Sequence, residues 1–241
     1  MNKAVAWIAA LLSLLIFSTS TAFADTSEAA EFKFLFLKAA ENHNETVDIS
    51  ELNLTKAKIS NYLIGIFAEE NVWYLDTQYA PIDVNADGIV GKIRLYYRVP
   101  QEEIAEKENL IEGEIENIIT LTDGYSNPEK IKIVYDYFIK NYSYDNTLMN
   151  YDICRLVETK QGTCAALSLA FREVMNRLNI PCEIVVNNDM SHEWIKVYVN
   201  DGWKNIDITK GIAFKNTNVP NAEYRAFLLS DEILRAWGYK F

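Results

Sequence analysis

The chain has few of the residues from which metal centres and redox sites are built. Its 241 residues include three cysteines and two histidines, and no Cys-x-x-Cys pair occurs. One histidine, His43, lies in the polar stretch that follows the first predicted helix. Scattered cysteines and a single plausible histidine do not form a metal-ligand set, so no metal site is predicted. The missing Cys-x-x-Cys pair also argues against a disulfide-exchange protein.

Basic residues are scarce relative to acidic ones. The chain has 23 Lys and Arg against 34 Asp and Glu, and removal of an amino-terminal leader containing Lys3 leaves 22 against 34, a balance of −12. Such an acidic chain is a poor partner for nucleic acid and for anionic membrane surfaces. After the leader, no apolar run is long enough to cross a bilayer. The aromatic content of 12% argues against disorder.

The first 24 residues are predicted to be a secretory signal peptide. Lys3 supplies a positive start, residues 4–17 are apolar, and Ala22-Phe23-Ala24 forms a small-x-small cleavage site. We expect a secreted or cell-envelope protein with no stable membrane anchor after cleavage. An uncleaved amino-terminal anchor is the alternative.

Apolar spacing and turn residues predict a mixed series of helices and strands after the leader. Helices are predicted over residues 26–41, 55–67, 101–121, 128–142 and 164–178, and strands over residues 47–49, 72–75, 89–99, 182–186, 192–199 and 203–208. An edge strand over residues 224–229 and a short helix over residues 230–237 are predicted to end the chain.

An acidic segment over residues 83–88 imitates the first half of a calcium loop. It reads Asp-Val-Asn-Ala-Asp-Gly, with oxygen-bearing side chains at positions 1, 3 and 5 and glycine at position 6. Position 12 would be Arg94, where a calcium loop requires a glutamate. Because the segment lies between predicted strands, an Asx-rich hairpin turn is favoured over a calcium site.

A cysteine lies at the start of the predicted helix over residues 164–178. Gly162 interrupts the chain just before it, and Asn179 and Pro181 end the helix. Cys164 lies in the first turn, on the same face as the helix's apolar residues. There the unpaired backbone N–H groups and the helix dipole favour a thiolate, which is the nucleophilic form.

A histidine and an aspartate follow on a predicted hairpin. His192 opens the first strand, Asn200-Asp201-Gly202 is a strong turn signal, and the returning strand carries Asp207. An imidazole that serves a thiol needs its second nitrogen held by an acceptor, and a carboxylate is suited to this. An ideal hairpin places Asp207 opposite residues 194–196, two to four residues from His192, so a shifted turn or a bulge would be needed for direct pairing.

Taken singly, the three residues have simpler explanations. A lone cysteine on an apolar helix face is usually a small buried residue. A lone histidine at a strand start is more often structural, and an aspartate near a strand end is more often a turn former. Together they have the chemical types of a thiol triad.

The order and spacing of four motifs resemble the transglutaminase-like superfamily of papain-type thiol enzymes. The motifs are Gly162-Thr163-Cys164, Leu178-Asn179-Ile180-Pro181, His192-Glu193-Trp194, and the stretch from Trp203 to Asp207-Ile208-Thr209. The chain departs from many members at Glu193, where they have alanine, and at Ala165-Ala166. The resemblance is specific over residues 162–209 and loose before about Pro128, where the pattern is similar to exported bacterial members.

The resemblance implies that Cys164 is the nucleophile, His192 the base and Asp207 the residue that orients it. It implies an α+β fold in which the catalytic helix packs on an antiparallel sheet, preceded by a helical and hairpin extension. The predicted organisation is a signal peptide over residues 1–24, an extension over residues 25–125 and a catalytic domain over residues 126–241.

The expected chemistry is acyl transfer or hydrolysis at amide bonds of a protein or peptide substrate, with no cofactor. One oxyanion donor is expected to be the backbone N–H of Cys164, and the second stays open between Gln161 and nearby tryptophans. The alternative function is a non-catalytic cell-envelope module that binds proteins and retains the fold. With Cys164 free, Cys154 and Cys182 could form a disulfide, although the simpler expectation is no bridge, with Cys182 buried at the start of an apolar strand. The oligomeric state is left open.

Overall fold

The computed structural model describes residues 27–70, 72–76, 82–84, 87–187, 192–217 and 219–241. The predicted signal peptide, residues 1–24, lies outside them. The chain divides into two compact units, Met1–Ile104 and Ala105–Phe241. The predicted domain boundary after residue 125 stays a prediction. None of the helices in the described ranges has the length and apolar character needed to cross a membrane.

The first unit contains helices and a small antiparallel sheet. Its elements are α1 (Ser27–Glu41), β1 (Thr46–Asp48), a 3-10 helix (Ser50–Leu52), α2 (Lys56–Glu69), β2 (Ile82–Val84) and β3 (Val90–Arg94), with strand order β1-β3-β2. The predicted first helix is confirmed, and Phe32 and Phe36 from it are fully buried. Thr55 caps α2 as predicted, because its hydroxyl accepts from the Lys58 N–H.

Two predictions for the first unit are wrong in detail. The predicted strand over residues 72–75 is a turn that makes a single bridge between Leu75 and Tyr97. The predicted long strand over residues 89–99 is ordered as a strand only in β3. The acidic segment begins inside β2, which pairs antiparallel with β3, and its residues 85 and 86 lie outside the described ranges.

The second unit contains most of the helices and the larger sheet. The unit boundary falls inside α3 (Gln101–Thr120), and the later elements are α4 (Asn127–Asn141), β4 (Ser143–Tyr144), α5 (Ile153–Thr159), β5 (Gln161–Gly162), α6 (Cys164–Arg177), β6 (Cys182–Asn187), β7 (His192–Val199), β8 (Gly202–Ile206), α7 (Ile208–Lys215), a 3-10 helix (Ala222–Ala226) and α8 (Asp231–Ala236). A capping box starts α4, since the Glu129 carboxylate accepts from the Ser126 N–H at 2.9 Å.

The three strands β6, β7 and β8 form an antiparallel sheet in that order. Asn200 and Asp201 form the turn between β7 and β8, and both have positive φ, 51° and 61°. This is the backbone that a two-residue hairpin requires, and Asn and Asp tolerate it better than most residues. Helix α6 packs against β6 and β7, so the predicted α+β fold with a helix on an antiparallel sheet is confirmed.

The end of the chain differs from the sequence prediction. The second hairpin strand ends at Ile206, and α7 begins at Ile208 where the sequence predicted continued strand. The predicted edge strand over residues 224–229 is the 3-10 helix Ala222–Ala226, followed by a single bridge between Leu229 and Asn205. The predicted final helix is confirmed as α8.

Candidate active site

Cys164 is the first residue of α6. The first intrahelical bond runs from the Leu167 N–H to the Thr163 carbonyl at 3.1 Å, so the backbone N–H of Cys164 has no partner within the helix. Thr163 is fixed from the other side, because its N–H donates to the Asn150 carbonyl at 2.9 Å. The Cys164 side chain is partly exposed. The thiol therefore lies at the positive end of a well-anchored helix.

Close packing explains the glycine of the Gly-x-Cys motif. A Cβ on Gly162 would lie 2.7 Å from Leu156 Cδ1 and 3.0 Å from Ala166 Cβ. Neither neighbour can yield freely, because both are fully buried. Glycine at this position lets α5 and the start of α6 approach each other, and this fixes where the thiol emerges.

His192 and Asp207 meet through a diagonal contact across the sheet. The register pairs Ile195 with Ile206, so its continuation by one residue places Asp207 opposite Trp194. Side chains alternate along a strand, so His192, Trp194 and Asp207 share one face. Asp207 reaches back diagonally, and its Oδ2 lies 2.8 Å from His192 Nε2. The shifted turn or bulge that the sequence argument required is therefore unnecessary.

The imidazole also makes a hydrogen bond with Cys164. Because Nε2 faces Asp207, the ring nitrogen left for the thiol is Nδ1. The histidine side chain is 12% exposed and that of Asp207 is 1% exposed. The structure thus brings all three predicted residues together, with the imidazole between the thiol and the carboxylate, while their catalytic roles stay predictions.

Opposing effects set the proton affinity of His192. Burial lowers the pKa of the ring, but hydrogen bonds with Asp207 and Cys164, and the negative charges of both, more than offset it. The net effect raises the pKa from 6.5 to about 9. The ring is therefore held as an imidazolium at neutral pH, which is the form that stabilises a neighbouring thiolate.

Two other titratable groups, Tyr144 and Glu193, lie near Cys164 and His192. Burial raises the pKa of Tyr144, and the nearby charges of Cys164 and Asp145 add to this shift. Burial raises the pKa of Glu193 to about 7, although the positive charges of His192 and Arg172 act in the opposite direction. Glu193, a position at which the chain departs from the family pattern, is thus partly protonated near neutral pH.

Both oxygens of Asp207 are occupied. Oδ1 accepts from the Lys210 N–H at 2.9 Å and caps α7. Oδ2 accepts from His192 and also from the hydroxyl of Tyr239. Sequence reasoning did not identify Tyr239, which lies 32 residues after Asp207. Nothing in the local pattern around Tyr239 indicates this contact.

The other two cysteines are free thiols whose pKa values are raised. The three cysteines form no disulfide, so a Cys154–Cys182 bridge is absent. Burial raises the pKa of Cys154 to about 11 and that of Cys182 to about 12, with Arg172 acting in the opposite direction on Cys182. Cys154 is buried, whereas Cys182, which the sequence predicted to be buried, is partly exposed. Within the described ranges, no three His, Cys, Asp or Glu side chains cluster closely enough to hold a metal ion.

The structure narrows the choice of a second oxyanion donor. The Trp194 indole N–H donates to Asn205 Oδ1 at 2.9 Å in the buried sheet face, so Trp194 is not available to a substrate. Gln161 lies exposed in β5, two residues before Thr163. The Cys164 N–H, at the free start of α6, is positioned for the first donor.

The free energy of unfolding is expected to fall as the pH rises from about 6.5 to about 9. His192 loses its proton near its ordinary pKa in the unfolded chain but keeps it to about pH 9 in the folded protein. Its stabilising contribution is complete below pH 6.5 and is lost as the pH passes 9, at most about 3 kcal/mol. Urea unfolding across this range should show a flatter dependence for Asp207→Asn, which lacks the carboxylate charge. If the free energy of unfolding depends equally on pH in both proteins, Asp207 is not the cause of the raised pKa of His192.

Part of the chain matches the model of a known protein family. Residues 116–208 match the model of the transglutaminase-like superfamily, and this match includes Cys164, His192 and Asp207. The match covers less than half of the chain, and over these residues the chain is similar to the transglutaminase-like superfamily. Comparison with curated protein sequences gives no match.

Three solved structures are similar to parts of the chain. One is described as a TGase, with 17% identity, a TM-score of 0.38 and coverage of 75% of this chain and 53% of that one. A candidate cysteine protease from Cytophaga hutchinsonii has 12% identity and a TM-score of 0.34, and the match covers 50% of this chain and 51% of that one. A candidate protease from Parabacteroides distasonis has 15% identity and a TM-score of 0.31, and the match covers 50% of this chain and 29% of that one. The chain spans about half the length of the first two proteins.

Proposed function

We propose that this protein is an exported thiol enzyme that transfers or hydrolyses acyl groups at amide bonds through Cys164, His192 and Asp207. The observation that carries the proposal is the position of His192. Its Nε2 lies 2.8 Å from Asp207 Oδ2, and its other ring nitrogen makes the hydrogen bond with Cys164. A thiol, an imidazole and a buried carboxylate in this order are the parts of an activated nucleophile.

The first half of the proposed reaction forms a thioester. The Cys164 thiolate attacks the carbonyl carbon of an amide, and the Cys164 backbone N–H stabilises the negative oxygen of the tetrahedral intermediate. The His192 imidazolium gives its proton to the leaving nitrogen as the C–N bond breaks. An amine leaves, a thioester on Cys164 remains, and His192 is neutral.

The second half regenerates the thiol. Neutral His192 takes a proton from an incoming water or amine, which attacks the thioester carbonyl. Collapse of the intermediate expels the Cys164 thiolate and restores the imidazolium beside it. Asp207 stays ionised throughout and holds the ring in one orientation. Water as the acceptor gives a peptidase or amidase, and an amine gives a transglutaminase.

The proposed location is outside the cytoplasm, supported by the leader-like residues 1–24. Substrates there would be extracellular or cell-envelope proteins and peptides. The excess of acidic residues supports a protein or peptide substrate over a nucleic acid. No bound cofactor enters the proposed reaction, because each proton transfer and bond change is assigned to these three residues and the substrate.

Detection of the thioester tests the proposal. The protein is incubated with p-nitrophenyl acetate, and separately with casein and monodansylcadaverine, and then quenched in acid for peptide mass spectrometry. We expect acetylation confined to Cys164, and a comparison of free acid with amine conjugate identifies the acceptor. If a folded protein forms no acyl adduct at Cys164 with either donor, the enzymatic proposal fails, and the non-catalytic binding module becomes the better account.

A further inference from the structure

The C-terminal segment, residues 222–241, is hydrogen-bonded to β8, the strand that leads to Asp207. Asn205 in β8 and Leu229 exchange two backbone hydrogen bonds, both 2.8 Å long. The Asp207 N–H donates to the Ala226 carbonyl at 3.0 Å. This segment lies beyond the family match, which ends at residue 208, yet it fixes the backbone of the aspartate.

A buried polar network holds α8 against the same sheet. Asn205 is fully buried, and its amide donates to Asp231 Oδ1 at 2.8 Å while its oxygen accepts from Trp194. Lys196 Nζ lies 3.0 Å from the same Asp231 oxygen. Because every polar group in this network has a partner, α8 and the residues after it are held in one position.

Tyr239 projects from this segment into the site. It is 2% exposed, and its ring packs edge-on against Trp194 and His192, with centroids 4.9 and 5.9 Å apart. Its hydroxyl donates to Asp207 Oδ2 at 2.5 Å, the same oxygen that faces His192 Nε2. Burial and the charge of Asp207 raise the pKa of Tyr239, so the phenol remains a neutral donor.

We propose that Tyr239 is a positioning residue that shares Asp207 Oδ2 with His192 and thereby sets how strongly the carboxylate holds the imidazole proton. Two donors on one oxygen divide its negative charge, so each bond is weaker than it would be alone. The inference deepens the proposed function, on which it rests for its catalytic meaning. The hydrogen-bond geometry itself is independent of that function.

The fixed orientation of Asp207 determines the direction of the effect. Oδ1 is held by the Lys210 N–H, and the backbone is held by Ala226, so the carboxylate keeps its place when the Tyr239 hydroxyl is removed. The charge that the phenol had drawn from Oδ2 then acts on His192 alone. The imidazole should therefore hold its proton more tightly in Tyr239→Phe than in the wild type.

The other titratable groups near His192 and Asp207 are the same in the wild type and in Tyr239→Phe. Cys164 lies on the thiol side of the ring, with Tyr144 from β4 beside it. Glu193 follows His192 in β7, with Arg172 of α6 near it. Tyr135 of α4 lies within electrostatic range of Asp207. None of them is altered by the Tyr239→Phe substitution.

The test is an NMR titration of the histidine Cε1–H signals. Only two histidines occur in the chain, so a His43→Ala variant assigns both resonances. We expect the titration midpoint of His192 to rise by about half a unit to one unit in Tyr239→Phe, and to fall in Asp207→Asn. Tyr142→Phe is the matched control, because the buried Tyr142 hydroxyl donates to a different carboxylate, that of Glu114, at 2.6 Å.

An unchanged or lowered midpoint in Tyr239→Phe, or an equal rise in Tyr142→Phe, overturns the inference. If Tyr239→Phe does not fold, site-specific 3-fluorotyrosine at position 239 provides a second measurement. Its hydroxyl is a stronger donor, so the midpoint should fall, and no change there also overturns the inference. The titration needs no substrate, so its result is separable from that of the thioester experiment.

Discussion

Replacement of Cys164 by alanine is expected to abolish acyl transfer, with a fall in rate of at least about 10⁴-fold. In the proposed mechanism the acyl group is covalently attached to Cys164 between the two half-reactions. No other described thiol can replace it, because burial raises the pKa of Cys154 to about 11 and that of Cys182 to about 12. The measurement is the rate of thioester formation, followed by intact mass.

Two matched replacements control for the loss of a thiol. Cys154→Ala and Cys182→Ala remove the other cysteines and should leave the rate within about twofold, provided that the proteins remain folded. Equal losses in all three variants would indicate a structural effect. Retention of acyl transfer in Cys164→Ala would show that the nucleophile lies elsewhere.

Replacement of His192 by alanine is expected to reduce amide cleavage by about 10³-fold or more. The variant loses the positive charge that stabilises the thiolate and also the acid that protonates the leaving amine. A p-nitrophenolate leaving group needs no proton, so acylation by p-nitrophenyl acetate should fall less than amide cleavage. The informative quantity is the ratio of the two rates, measured as kcat/KM on an amide and on the ester.

His43→Ala is the control for the His192 replacement. His43 belongs to the first unit and stacks on the ring of Tyr97, with centroids 3.5 Å apart, so its removal should leave both rates unchanged. If His192→Ala reduces ester and amide reactions equally, the imidazole does not serve as the leaving-group acid. The proposed division of roles between Cys164 and His192 would then be wrong.

Local sequence signals were sufficient to predict the elements that carry the site. The apolar spacing after Gly162 predicted α6, and the Asn-Asp-Gly turn predicted the hairpin of β7 and β8. Both signals depend on residues close together in the chain, so they can be recognised without knowledge of the tertiary structure. The chemical types of Cys164, His192 and Asp207 then indicated the kind of site.

The features that the sequence did not predict depend on distant contacts. Asp207 caps α7 with one oxygen and accepts two side-chain donors with the other, and only the folded backbone shows that a single residue does both. Tyr239 reaches the site because residues 222–241 bond to β8, which no local pattern encodes. The predicted strand over residues 72–75 was wrong because its aromatic residues, which favour strands, are buried in a turn instead.

The pH dependence of cysteine alkylation most directly tests the claim that His192 activates Cys164. The protein is treated with iodoacetamide between pH 5 and 10, and the modification of each cysteine is followed by mass spectrometry, with Cys154 and Cys182 as internal references. An ordinary free thiol at pH 6 is under about 1% thiolate, so an activated Cys164 should react about 10²-fold faster there. We expect this reactivity in the wild type and its loss in His192→Ala. If Cys164 reacts like an ordinary thiol in the wild type, or identically in both proteins, His192 does not activate it.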